Sequence, residues 1–210
     1  MFASSSLLTK FKENQKEEFK TVVAKTGSRD YVQALCNLGT ATFIMLLYHF
    51  ENKEVYIAAF IGSVAAANAD SWASEIGGLS KKQPLMITNF KPVAKGISGG
   101  ITGLGMIGGF FGSLFITALG VASLLLNDAI AKNLYLIFFA SLLAGTFGFI
   151  LDSYLGAWFQ ALYTDKRNFT TENSKAGKLV KGWKWMDNDI VNLLTTIASG
   201  LLSATLYLLF

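Results

Sequence analysis

SGGITGLGMIGGFFGSLFITALGVASLLL, residues 98–126, contains no charged side chain. A helix needs about 20 mostly apolar residues to cross the hydrocarbon core of a bilayer, so this stretch is long enough to span a membrane. Four further apolar runs, at residues 31–50, 55–70, 133–152 and 188–210, are candidates of the same kind. The sequence therefore predicts an all-α protein, a polytopic membrane bundle of about five helices.

The second run is the shortest, because it meets Asp70 before the length of a full span is reached. We expect the chain to continue through residues 71–79 as an interfacial or partly re-entrant helical extension. Neither a Pro-rich nor a Ser-rich linker interrupts the sequence. Residues 1–30 are predicted to form a basic N-terminal segment, and residues 31–210 a single transmembrane domain.

The overall composition supports this class. Hydrophobic residues make up 52% of the 210 residues and charged residues 15%, and the mean hydropathy is +0.42. These values exclude a disordered chain and a coiled coil. The single cysteine, Cys36, excludes a disulfide scaffold and a cysteine-rich zinc site.

The positive charges alternate between loops. Of the 18 Lys and Arg residues, 6 lie in residues 1–30, 4 in residues 80–97 and 6 in residues 164–187, whereas Lys53 and Lys132 are alone between the other runs. Short cytoplasmic loops collect Lys and Arg. The N-terminus is therefore predicted to be cytoplasmic and the C-terminus outside, in a plasma or inner membrane. This topology also explains the net charge of +4 without nucleic acid as a partner.

Three acidic residues lie at the predicted cytoplasmic ends of spans two and four. Asp70, Glu75 and Asp152 have no neighbouring Lys or Arg in their helices. Charge is expensive inside a membrane, and Mg²⁺ prefers hard oxygen ligands. We expect the three to be catalytic carboxylates that bind Mg²⁺, with helix capping and interhelical hydrogen bonds as the alternative.

Other polar residues share helix faces with these acids or lie near the same ends of the spans. Some are expected to contact substrate, although hydrogen bonds between helices explain such stripes equally well, and explain them better in the fifth span. The candidate substrate-binding residues are Asn68, Ser71, Ser74, Ser153, Gln160, Asn188 and Asn192.

A glycine-rich segment enters the third span from the basic loop. Glycines let backbone N–H groups converge on an anion, and a helix N-terminus adds a favourable dipole. The segment is not a Walker motif, and a flexible loop entry is the alternative. The candidate phosphate-binding residues are Lys81, Lys95, Gly96, Ser98, Gly99 and Gly100.

The segments Asn68-Ala-Asp-Ser-Trp-Ala-Ser-Glu-Ile-Gly-Gly and Lys95-Gly-Ile-Ser-Gly-Gly resemble the integral membrane family called domain of unknown function 92, or transmembrane protein 19-like. The similarity extends to the pair Asp152-Ser153 and to Asn188-Asp-x-Val-Asn192, and so covers nearly the whole chain. Where this family commonly has threonine, the chain has Ile97.

The resemblance implies a substrate class, because the family includes the plant phytyl-phosphate kinase. It favours a kinase that transfers a phosphoryl group from a nucleoside triphosphate, with CTP as one candidate, to an isoprenoid monophosphate. A transporter of small anions or lipid phosphates, and a non-catalytic membrane scaffold, are the alternatives. Membrane lipid is an expected partner. The donor nucleotide, the isoprenoid length, a nucleotidyl-transfer product, a homo-oligomeric state and a missing N-terminal span stay open.

Overall fold

A computed structural model describes residue 8 and residues 31–126, 133–164, 170–173 and 177–210. Apart from Leu8, the predicted N-terminal segment 1–30 lies outside the described residues. Five long helices account for most of the described chain: α1 (Tyr31–Glu51), α2 (Glu54–Gly77), α3 (Gly103–Leu126), α4 (Leu134–Trp158) and α5 (Asn188–Leu209). They correspond to the five predicted spans and confirm the all-α polytopic class.

The helix boundaries differ from the expected ones at the end that carries the two long loops. The helical extension expected after Asp70 is present as far as Gly77, but it continues α2 without a break and is not a separate interfacial or re-entrant helix. Helix α4 likewise extends past Asp152 to Trp158. Helix α3 begins only at Gly103, since Gly100 and Ile101 pair with a strand instead. The polar residues at Asp70 and Asp152 resemble helix boundaries in the sequence, whereas both helices continue beyond them.

Helix α2 is the centre of the bundle and packs against each of the other four long helices. Its buried positions are mainly small residues, such as Ala58, Ser63 and Ala66, which allow close approach of helix backbones. At Gly112 of α3, an added Cβ would lie 3.0 Å from the Cα of Ala69. The contact between α2 and α3 therefore depends on the absence of a side chain there.

The surrounding helices have the properties of membrane spans. By length and composition, α1, α3, α4 and α5 can each cross a bilayer. Large apolar side chains point outwards from them, including Phe43 of α1, Phe111 of α3 and Leu201 of α5. Helix α2 is less hydropathic because other helices, rather than lipid, cover most of its surface.

Two small antiparallel sheets lie in the long loops. Strands β1 (Leu85–Met86) and β2 (Gly100–Ile101) pair before α3. Strands β3 (Leu162–Thr164), β4 (Thr170–Thr171) and β5 (Lys178–Lys181) form a sheet in the order β4-β3-β5 between α4 and α5. The apolar pattern of the sequence predicted none of these strands. They are short elements attached to a helical protein.

Candidate functional site

A cleft opens where α2 and α4 end and α3 and α5 begin. Its walls come from these four helices, from the loop between α2 and α3, and from the loop between α4 and α5. Its polar lining residues are Asp70, Ser74, Lys95, Ser98, Thr102, Asp152, Ser153, Glu172 and Asn188. Apolar side chains, among them Ile97, Met106 and Phe149, line other parts of it. The cleft is therefore amphipathic.

Two of the three predicted catalytic acids face each other across this cleft. Asp70 comes from α2 and Asp152 from α4, and their carboxylates interact electrostatically. Thr195 of α5 donates a hydrogen bond to Oδ2 of Asp152, at 3.5 Å. Like charges this close favour the binding of a cation between them.

Glu75 does not line the cleft with them. Within the described ranges, no three His, Cys, Asp or Glu side chains are arranged to hold a metal ion. The structure thus brings together a pair of carboxylates rather than the expected triad. A pair fits Mg²⁺, which usually binds through one or two carboxylates and completes its shell with water and substrate phosphates.

The glycine-rich segment forms one wall of the cleft. Gly96 and Gly99 have φ angles of 87° and 86°, which side-chain-bearing residues rarely adopt. At Gly99 an added Cβ would also lie 2.5 Å from the Cβ of Ala157, and the Gly99 carbonyl accepts a hydrogen bond from the Ile87 N–H at 2.8 Å. The loop is therefore pinned between α4 and the chain beside β1.

The predicted phosphate-binding residues divide into two groups. Lys95, Gly96, Ser98, Gly99 and Gly100 all line the cleft. Lys81 is exposed and lies outside the lining. The loop backbone, the Ser98 hydroxyl and the Lys95 ammonium group lie in the same cleft as the two aspartates. This arrangement suits a phosphate that is bridged to the carboxylates by a cation.

The predicted substrate-binding residues also divide. Ser74, Ser153 and Asn188 line the cleft. The other four are buried and do not line it: Asn68, Ser71, Gln160 and Asn192. Asn68 donates a hydrogen bond to the Gly112 carbonyl at 2.9 Å, and Ser71 donates to the Ala67 carbonyl of its own helix at 2.9 Å. In the structure these two side chains make contacts within the bundle.

Two charged residues that were not predicted from the sequence belong to this region: Glu172 lines the cleft, and Lys181 interacts electrostatically with Glu172. Glu172, just after β4, accepts a hydrogen bond from the Ser98 hydroxyl. Removal from water raises the pKa of its carboxyl to about 7, against the lowering effect of its hydrogen bonds with Ser98. Lys181 of β5 donates to the Gly156 carbonyl at 3.1 Å, and burial lowers the pKa of its ammonium group. The sequence signal at Glu172 is an acid within a basic loop, and Lys181 is one of several Lys residues in that loop; both patterns are common on solvated surfaces.

A helical bundle with lipid-facing apolar surfaces and one polar cleft at a helix-end face defines a polytopic membrane protein. The chain matches the model of the family described as Integral membrane protein DUF92 over residues 1–200. It belongs to this family, as the sequence resemblance predicted.

Several curated proteins are similar to the chain. Protein PGR of Arabidopsis thaliana is 30% identical over 97% of this chain and 77% of its own length. An uncharacterized membrane protein of Methanocaldococcus jannaschii is 31% identical over 72% of this chain and 51% of its own length. One from Synechocystis is 24% identical over 93% of this chain and 66% of its own length. No solved structure matches significantly.

Proposed function

We propose that this protein is a membrane prenyl-phosphate kinase. It transfers the γ-phosphoryl group of a nucleoside triphosphate, with CTP as the first donor to test, to an isoprenoid monophosphate. The observation that carries the proposal is the single cleft in which Asp70 and Asp152 face the glycine-rich loop and Lys95. The proposed substrate class is taken from the sequence resemblance, and the chemistry of the cleft supports a phosphate ligand.

The two aspartates are the proposed Mg²⁺ ligands. Bound Mg²⁺ would offset the negative charge of the phosphates that meet in the cleft. Each carboxylate is held by a different helix, so their separation is set by the packing of α2 against α4. The Thr195 hydroxyl lies 3.5 Å from Oδ2 of Asp152 and 3.0 Å from the Asn192 carbonyl oxygen, so these two acceptors share one donor.

The loop residues are the proposed phosphate ligands. Lys95 and the Ser98 hydroxyl provide a charge and a donor, and the glycines let the loop backbone approach closely. An oxygen of the acceptor monophosphate attacks the γ-phosphorus, and the bond from that phosphorus to the β,γ-bridging oxygen breaks. The products are a nucleoside diphosphate and an isoprenoid diphosphate. A phosphate monoester is already ionised, so the reaction requires no general base.

The apolar part of the lining suits an isoprenoid chain. Ile97, Met106 and Phe149 lie beside the polar groups of the same cleft. An amphipathic substrate can therefore place its phosphate near the loop while its hydrocarbon contacts these side chains. We further propose that this face is cytoplasmic, because the flanking loops carry most of the Lys and Arg residues.

The direct test is a transfer assay on detergent-purified protein. The protein, Mg²⁺, γ-labelled CTP or ATP, and phytyl, farnesyl or geranylgeranyl monophosphate are incubated, and labelled lipid is measured. Asp70→Asn and Asp152→Asn are each expected to lower the rate at least about 100-fold, as loss of a transition-state electrostatic contact does elsewhere. Chelation of Mg²⁺ should do the same.

Glu51→Gln is the matched control, because Glu51 is an ion-paired carboxylate outside the cleft. Full activity in Asp70→Asn would reject the metal assignment. Label transferred from α-labelled nucleotide instead would indicate a nucleotidyltransferase. Phosphate flux into liposomes without any nucleotide, together with no transfer, would indicate a transporter.

A further inference from the structure

The carboxylate of Glu172 is bound by the loop that is proposed to bind phosphate. Glu172 lies 74 positions after Ser98 in the sequence, yet it accepts the Ser98 hydroxyl hydrogen bond. The backbone N–H of Ser98 is a second donor to the same carboxylate. The glycine-rich loop thus already holds an acidic side chain of the protein itself, and this side chain is an anion above about pH 7.

A carboxylate and a phosphate use the same donors. Both accept short hydrogen bonds from hydroxyl and backbone N–H groups, and both are stabilised by nearby ammonium groups. Lys95 lines the cleft beside Ser98, and the charge of Lys181 acts on Glu172. The surroundings of the Glu172 carboxylate are therefore those expected of a phosphate site.

Glu172 also differs from the other two acids in how it is held. Asp70 and Asp152 are fixed within long helices, whereas Glu172 directly follows the two-residue strand β4. A phosphate that enters the cleft needs the Ser98 donors and is repelled by a carboxylate already bound to them. Displacement of a side chain next to a short strand requires less reorganisation than displacement of a helical one.

We propose that Glu172 occupies the position of a substrate phosphate on the glycine-rich loop and acts as an internal competitor that the phosphate displaces. This inference rests on the proposed function, because it assumes that the loop binds phosphate. It adds a regulatory element: before a phosphate binds, the Ser98 donors are occupied by the protein's own carboxylate, so the loop discriminates against weakly bound anions.

The test measures binding of inorganic pyrophosphate with Mg²⁺ to the purified full chain by calorimetry at about pH 8, where the Glu172 carboxyl is ionised. Glu172→Ala removes both the charge and the hydrogen-bond acceptor, whereas Glu172→Gln removes only the charge. We expect the affinity to increase about tenfold in the alanine variant, equivalent to one charge-assisted hydrogen bond that no longer competes. The pyrophosphate affinity of the glutamine variant should lie between those of the alanine variant and the wild type. Glu51→Ala, which removes a carboxylate outside the cleft, should leave the affinity unchanged.

A structural role for Glu172 predicts the reverse order, with weaker binding in the alanine variant and recovery in the glutamine variant, and that order would overturn the inference. If Glu172→Ala fails to fold, as judged by thermal unfolding, Glu172→Gln decides between the two. In a Ser98→Ala background, Glu172→Ala should increase the pyrophosphate affinity by less, because the hydroxyl donor for which Glu172 and phosphate compete is lost. An undiminished gain would also overturn the inference.

The inference and the proposed function fail in different ways. If pyrophosphate binds equally tightly with and without Glu172, the competitor role of Glu172 is rejected and the proposed phosphate site is retained. No binding by any variant rejects both. The same titrations are made with CTP and with farnesyl monophosphate. The substrate whose affinity changes in the Glu172 variants is the one that the loop binds. If neither affinity changes, the competitor role of Glu172 is overturned.

Discussion

Asn68 of α2 donates a hydrogen bond from Nδ2 to the backbone carbonyl of Gly112 in α3, at 2.9 Å, and its side chain is fully buried. The bond lies at a close approach of these helices, where a Cβ added at Gly112 would lie 3.0 Å from the Cα of Ala69. It links the central helix, which carries Asp70, to a helix that faces lipid. The position of Asp70 therefore depends on a polar contact two residues away that does not touch the cleft.

Replacement of Asn68 by leucine is expected to destabilise the bundle. The Gly112 carbonyl would lose its donor in an apolar setting, and such interhelical bonds contribute about 0.6 kcal/mol on average and up to about 1.7 kcal/mol. Thermal unfolding in detergent measures the loss. Thr205→Val is the matched control, since the exposed Thr205 hydroxyl bonds only to the Leu201 carbonyl of its own helix. Unchanged stability together with a raised KM would instead support the substrate-binding role predicted for Asn68.

Replacement of Gly99 by alanine is expected to abolish phosphate binding by the loop. The new Cβ would lie 2.5 Å from Ala157 in a backbone conformation with φ of 86°, so the loop must move away from α4. Pyrophosphate affinity should fall at least about tenfold, which corresponds to 1.4 kcal/mol. Gly103→Ala is the control, because nothing lies within 4 Å of a Cβ at Gly103. Equal affinities in the two variants would contradict a role for the loop conformation.

The helical framework could be predicted from the sequence because a membrane leaves the chain few options. Backbone groups in hydrocarbon must pair within the segment, so a long apolar run is a helix. Helix ends are less constrained. Gly100 and Ile101 are compatible with a helix or a strand, and their pairing with Leu85 and Met86 depends on a chain segment with no periodicity.

The candidate site could be predicted only in part. Asp70 and Asp152 stood out because charges in spans are rare, and the glycines because they precede a span. The sequence does not, however, specify which neighbour covers each side of a helix: Asn68, two positions before Asp70 and about 160° around the helix from it, meets α3. Glu172 reaches Ser98 through the path of a loop, which hydropathy does not encode.

Replacement of Gly182 by alanine should destabilise the β3-β4-β5 sheet. Gly182 has a φ of 78°, and a Cβ there would lie 2.1 Å from the Gln160 carbonyl oxygen. The turn after β5 must therefore separate from the end of α4, and the melting temperature should fall. Gly39→Ala is the matched control, since a Cβ at Gly39 within α1 meets nothing within 4 Å. That substitution should keep or raise stability, because glycine is unfavourable inside a helix by about 0.5–1 kcal/mol. A Gly182→Ala variant as stable as Gly39→Ala would reject the close packing of this turn.

The stability of the wild type should decrease between about pH 4.5 and pH 7, and Glu172 should be the reason. Burial raises the pKa of the Glu172 carboxyl from an ordinary value of 4.5 to about 7. Within this window the folded protein retains a proton that the unfolded chain has released, so the unfolding free energy decreases as the pH rises. The contribution is complete below about pH 4.5 and lost above about pH 7, and its upper bound is roughly 3 kcal/mol, at 1.36 kcal/mol per pKa unit.

Glu172→Gln separates this effect from other titrations. The amide has no proton to release, so the variant should lose less stability than the wild type when melting temperatures are compared at pH 5 and pH 7.5. Asp152 and Lys181 interact electrostatically with the Glu172 carboxyl, and both are present in the two proteins, so their contributions largely cancel in the difference. If the two proteins show the same pH dependence, the Glu172 carboxyl is not held in the folded state with a raised pKa.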